Sequence, residues 1–109
     1  MNEKKSDLVQ GTLDLLVLNT LRQGPLHGYG IAQKILVTSR KVLEVQQGSL
    51  YPALHRLERK GLVTSEWKES ENGRMAKFYA LTAAGKKQLG TELKEWKRYT
   101  DAIGWVLES

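Results

Sequence analysis

The segment from Gly48 to Leu62, GSLYPALHRLERKGL, joins an apolar stripe to a face of cations and hydrogen-bonding groups. With Leu50 as reference on a helix of 3.6 residues per turn, Ala53, Leu54 and Leu57 fall on its side, while Pro52, His55, Arg56 and Arg59 fall opposite. That free face carries no acid. Such side chains suit base edges and phosphates: an arginine such as Arg56 can pair in two-pronged fashion with guanine, and Gln46 or Gln47 with adenine. The chemistry is recognition of a polyanion, since no nucleophile lies near a base in sequence and neither a Gly-rich phosphate loop nor a paired-carboxylate pattern occurs. No enzyme is expected. His27 and His55 are far apart and have no cysteine to join them, so neither a metal nor a cofactor is expected.

The elements that must hold this face are legible from local signals. Ser49 can cap the first turn of the helix, Pro52 is tolerated there because its missing N–H has no intrahelical partner, and Gly61 supplies a left-handed stop. Upstream, Asp7 to Gln23 places Leu8, Val9, Leu13, Leu16, Val17, Leu18 and Leu21 on a broad apolar face, ended by Gly24 and Pro25. Gly28 to Val37 spaces Ile31, Ala32, Ile35 and Leu36 as a second helix, with Gly28 and Gly30 of HGYG as close-packing positions at its start. His27, just before it, suits either a phosphate contact or a turn. Val42 to Val45 is β-branched enough for a minimal strand. Leu62 to Lys68 and Met75 to Leu81 form a hairpin across Glu69 to Arg74, which contains the Asn72-Gly73 turn signal. Thr82 caps a last helix reaching about Leu107.

The expected order is therefore helix, helix, minimal strand, helix, hairpin and long helix: mainly α with a small β-hairpin, in one unit. A chain of 109 residues, 40% apolar, holds one domain with a modest core. The formal charge is +5, and the span from His27 to Lys87 holds 11 Lys/Arg against 5 Asp/Glu, so the cations concentrate around the helix and hairpin. With no cysteine, no apolar stretch long enough to span a bilayer and no cleavable leader pattern, a cytoplasmic location is expected.

Along the last helix, Leu89, Leu93, Trp96, Thr100, Ile103 and Leu107 are spaced as a heptad seam with one polar interruption. A helix of this length extends past a globule of this size, so a second copy of the chain is the expected cover. The alternative is that the seam folds back onto the first helix, and both arrangements are compatible.

Four pieces in order, LDLLVLNTL with GPLHGYGIAQKI, then GSLYPALHRLERKGLV, then GRMAKFYALTAAGKKQL, resemble the PadR family of winged helix-turn-helix transcriptional regulators over nearly the whole chain. The short region after LTAAG is similar to its small-subtype members. The resemblance implies a winged helix-turn-helix over residues 1–81 with a long C-terminal dimerisation helix over 82–109, and a homodimer that binds double-stranded DNA at a near-palindromic operator and usually represses. It also places Ser49, Tyr51 and Pro52 near DNA and puts the family's wing arginine at Arg74.

In such a dimer the reading helices enter successive major grooves with their N-terminal parts nearest the bases. Gln46, Gln47, Ser49 and Pro52 then approach base edges, the Tyr51 hydroxyl and Arg59 suit phosphates, and His55 and Arg56 lie on the same free face. Arg74, with Lys68 and Lys77 near it, forms a wing that reaches phosphates or the minor groove, while Lys86 and Lys87 read as solvated. Trp96, mid-seam, is the candidate contact for a planar hydrophobic or aromatic effector, with core packing across the dimer as the alternative; Tyr99 and Trp105 lie off the seam. Two other readings stay open: a winged-helix module that binds protein without DNA, and a ligand sensor that acts without DNA.

Overall fold

The computed structural model describes residues 10–109. The first helix, α1, spans Gln10–Thr20 and runs on as a single 3-10 turn over Leu21–Gln23; Leu8 and Val9 of the expected helix lie outside the described residues. Then come β1 (Leu26–His27), α2 (Gly28–Thr38), α3 (Gln47–Arg59), β2 (Val63–Glu69), β3 (Met75–Leu81) and α4 (Ala83–Glu108). The fold is mainly helical with a small antiparallel sheet and a long C-terminal helix, as the sequence leads one to expect.

Helix α1 is apolar nearly all round, so it lies in the middle of the molecule, packed on α2, α3 and α4. Leu13, Val17, Leu18 and Leu21 from this helix and its extension meet Ile31 and Ile35 of α2 and Leu50, Ala53, Leu54 and Leu57 of α3 in one core. The buried face of α3 is the one its periodicity dictates. Its end is also as read: Gly61 takes φ 75, and the amides of Gly61 and Leu62 donate to the carbonyls of Glu58 and Leu57 at 3.0 and 2.9 Å.

The start of α3 differs from expectation. The N-cap is Gln46, whose carbonyl accepts from Ser49 and Leu50, so Ser49 lies inside the first turn and caps nothing. Pro52 consequently sits one turn deeper than expected and leaves the Gly48 carbonyl without its i+4 donor, which solvent can replace because both residues are exposed.

The sheet order is β1-β3-β2. Val42 to Val45 is not a strand. The second edge of β3 is taken by Leu26 and His27, paired with Tyr79 and Phe78, while Leu43 and Val45 drop onto the core as an unpaired loop held by a Leu43 N–H to Ser39 Oγ bond of 2.9 Å. Helix α2 ends with Arg40 and Lys41 at φ 58 and 66, donating to Val37 and Leu36 in a closure that glycine usually makes. Side chains in that conformation cost about 1 kcal/mol each.

The junction into α4 explains the LTAAG sequence. Thr82 Oγ1 accepts from the Gly85 amide at 3.0 Å and donates to the Gly61 carbonyl at 2.6 Å, and the Thr82 amide donates to the Leu62 carbonyl at 3.1 Å. Gly85 is buried against the Leu62 carbonyl, with no room there for a Cβ. Gly85→Ala should therefore cost about 2 kcal/mol or more, because backbone must move rather than a side-chain tip. Urea unfolding of the variant measures this; an unchanged midpoint would rule out the tight junction.

Candidate nucleic-acid interface

A groove of about 570 Å³ opens between the outer side of α3, the start of α2 and the hairpin. Tyr51 and His55 from α3 and Trp67, Arg74, Met75 and Lys77 from the hairpin line it. The structure thus brings together, across 23 residues of sequence, Tyr51 and Arg74, two of the positions singled out for contact with DNA. Gln46, Gln47, Ser49, Pro52 and Arg59 are exposed along the same helix.

Local packing fixes this wall. Tyr51 lies against Gly28 so closely that a Cβ there would meet its hydroxyl at 2.6 Å, in keeping with the close-packing role expected of that glycine. Tyr79 closes the floor of the groove. Burial pushes its phenol above the usual 10.0, and the nearby Glu58 and Tyr51 add to the shift. Glu58 is itself tied to the sheet, accepting from Ser65 Oγ at 2.6 Å, so this acid of α3 is not presented on the free face.

The hairpin tip is braced by its own hydrogen bonds. The Ser70 amide and hydroxyl both donate to the Arg74 carbonyl, at 2.7 and 2.8 Å, the Arg74 amide donates to Asn72 Oδ1 at 3.2 Å, and Gly73 takes φ 82. Arg74 projects exposed from this braced turn. Strand alternation separates the two hairpin lysines: Lys77, opposite Trp67, stands 5.9 Å over the Tyr79 ring, whereas Lys68, opposite Ala76, stands 5.0 Å over Phe78 on the other face. Lys77 belongs to the groove and Lys68 does not. His27 resolves to the turn role: its Nδ1 accepts from the Gly30 amide at 3.0 Å, capping α2, and its Nε2 lies 3.7 Å from Glu71 at the hairpin tip.

Arg56 requires a correction. Its guanidinium is not free to pair with guanine but is bound to Asp14 of α1 at 2.8 Å, with side-chain exposures of 22% and 12%. Its Nε is buried without a hydrogen-bond partner among the described residues. On the helical wheel Arg56 is at the edge of the free face nearest α1, and the one acid within the apolar run of α1 captures it. Asp14 was visible in the sequence only as an interruption of that run. Sequence reasoning also passed over Trp67 and Met75, whose signal was strand alternation with Lys77.

The last helix divides in two. Leu89, expected in a dimer seam, is 4% exposed and packs in the chain's own core, because the first turns of α4 lie on α1. Leu93, Trp96, Ile103 and Leu107 remain exposed, and Thr100 satisfies its hydroxyl on the Trp96 carbonyl at 3.0 Å. The first turns of the seam therefore fold back onto α1, and the rest is bare. A second cavity, about 460 Å³, lies between α1 and α4, lined by Gly11, Thr12, Leu15, Glu92, Trp96 and Tyr99 among others. Trp105 lines none of these cavities and is exposed. Among the described residues there is no cluster able to hold a metal ion, and no helix is long and apolar enough to cross a membrane.

Residues 17–91 match the transcriptional regulator PadR-like family. A transcriptional regulator of Mycobacterium tuberculosis, Rv3488, is 37% identical over 75 residues, which are 69% of this chain and 66% of the relative. Among solved structures, a PadR family transcriptional regulator from Eggerthella lenta is 32% identical, with a TM-score of 0.78 over 92% of this chain and 85% of that one. A transcriptional regulator from Clostridium thermocellum is 27% identical, with a TM-score of 0.81 over 91% and 96% of the two chains.

Two outcomes test the packing behind this surface. Asp14→Asn should cost about 2 kcal/mol in urea unfolding, less than the loss of a fully buried partner because the pair is partly solvated; a loss too small to resolve would mean that the pair orients nothing. Gly28→Ala should cost about 1 kcal/mol, since the clash falls on a side-chain tip, and the cost should disappear in a Tyr51→Ala background. Additive effects in that cycle would show that the two residues do not press on each other.

Proposed function

The chain belongs to the PadR-like family of transcriptional regulators, and on that footing we propose that it is a homodimeric repressor that binds a near-palindromic operator through α3 and the hairpin. The family's members regulate transcription and are not enzymes. The observation that carries the proposal is the convergence of an acid-free helix face with Arg74 and Lys77 in one groove. Helix α3 enters the major groove N-terminus first, so Gln46, Gln47, Ser49 and Pro52 approach base edges. Tyr51, His55 and Arg59 then meet the flanking backbone, and Arg74 and Lys77 the next phosphates or the minor groove. Arg56 takes a structural role, aligning α3 through Asp14.

The exposed length of α4, from Leu93 to Leu107, supplies the apolar surface for a second copy, and Tyr99, Ile103, Val106 and Leu107 form a continuous patch there. Trp96 and Tyr99 offer aromatic faces to a planar hydrophobic effector in the cavity against α1, which is within the size range of small-molecule sites. An effector held there bears on the interface between α1 and α4 and so on the spacing of the two reading helices, which would relieve repression.

Selection of bound sites from random duplex, followed by a salt series on the selected site, tests the reading. A palindrome with half-sites about one helical turn apart is expected from two-fold symmetric reading helices. Affinity should fall steeply with salt, and Arg74→Ala should lower the log–log slope by about one per contact removed. Flat salt dependence, or no selected site, would favour a module that binds protein instead.

A further inference from the structure

We propose that the hairpin also makes an apolar contact with the operator, in which Trp67 and Met75 pack against the deoxyribose edges of one backbone strand. The inference rests on the DNA-binding reading and adds to it a contact that carries no charge. Register places both side chains on the groove side of the sheet: Met75, Lys77 and Tyr79 alternate along β3, and Trp67 pairs with Lys77. Inward along this face Tyr79 is buried at 2% exposure, whereas Trp67 and Met75, farther out, are 64% and 62% exposed. The core thus closes the inner end of the face and leaves its outer end uncovered.

A single exposed apolar side chain is ordinary, but two on one sheet face, lining one groove, are a surface. What covers it follows from the groove it lines, which Tyr51 and His55 of α3 share. Arg74 precedes Met75 and Lys77 lies across from Trp67, so two cations stand beside the apolar strip, with Glu69 opposite Met75 and Glu71 at the tip as the acids there. Phosphate, sugar and phosphate follow one another in the same alternation along a nucleic-acid strand: the cations meet the phosphates and the indole and thioether meet the carbon edge of the sugar between them.

The test compares the full-length protein with Trp67→Ala, Trp67→Thr and Arg74→Ala on one selected operator duplex across a salt series. Trp67→Thr keeps strand propensity while removing the indole, and the unfolding midpoint of each variant reports folding. Trp67→Ala and Trp67→Thr should each weaken binding about tenfold at every salt concentration, giving lines parallel to that of the unaltered protein, because no phosphate contact is lost. Arg74→Ala should instead change the slope. Unchanged affinity in a folded Trp67→Thr variant, or a loss that vanishes at high salt, would overturn the sugar contact while leaving the DNA-binding reading intact. Failure of the unaltered protein to bind any duplex would overturn both.

Discussion

Asp14 and Arg56 join the central helix to α3, and the direction in which α3 presents its side chains depends on that join. Apolar packing between α1 and α3 is strong but weakly directional, so it holds the helices together without fixing rotation of α3 about its own axis. A charge-assisted bond of 2.8 Å from the side of one helix to the side of the other supplies the missing constraint. Its energetic return is modest, since both ions give up water and the Arg56 Nε remains unpaired, and its value lies in specifying one orientation.

What was legible in the sequence was what neighbours in the chain decide. The apolar stripe of α3, the left-handed Gly61, the Asn72-Gly73 turn and the Thr82 cap each depend on residues within one turn of themselves. The features read differently depend on remote partners. Val42 to Val45 has strand-like side chains, but only one edge of β3 was available and Leu26 and His27 occupy it. Arg56 has the wheel position of a base-reading residue, yet an acid 42 residues away holds it. Leu89 fits the heptad as well as Ile103 does; α1 covers one and not the other. Ser49 is a good capping residue in the wrong place, because the preceding loop delivers Gln46 to the helix start.

The groove illustrates how a small domain builds a surface from a rigid scaffold. Its floor is Tyr79, its tip is braced by the Ser70 and Asn72 bonds, and its α3 side is pressed on Gly28. Little of this wall has to order itself when a ligand arrives, so less of the binding energy is lost to restricting side chains. The exceptions are the long cations and the exposed indole, which are free to adjust to a backbone.

Helix α4 is anchored at one end, where Thr82, Gly85 and Leu89 are locked to the body, and bare at the other. Its reach and its phase cannot vary independently. Each residue added between anchor and bare stretch turns the exposed stripe by roughly 100° while lengthening the rod by about 1.5 Å. Insertions of about seven or eleven residues, roughly 10 or 16 Å, lengthen the arm and return the stripe to within about 20° of its starting azimuth. The separation of any two heads mounted on such arms is therefore stepped like the teeth of a gear, and related chains can change it only by jumps.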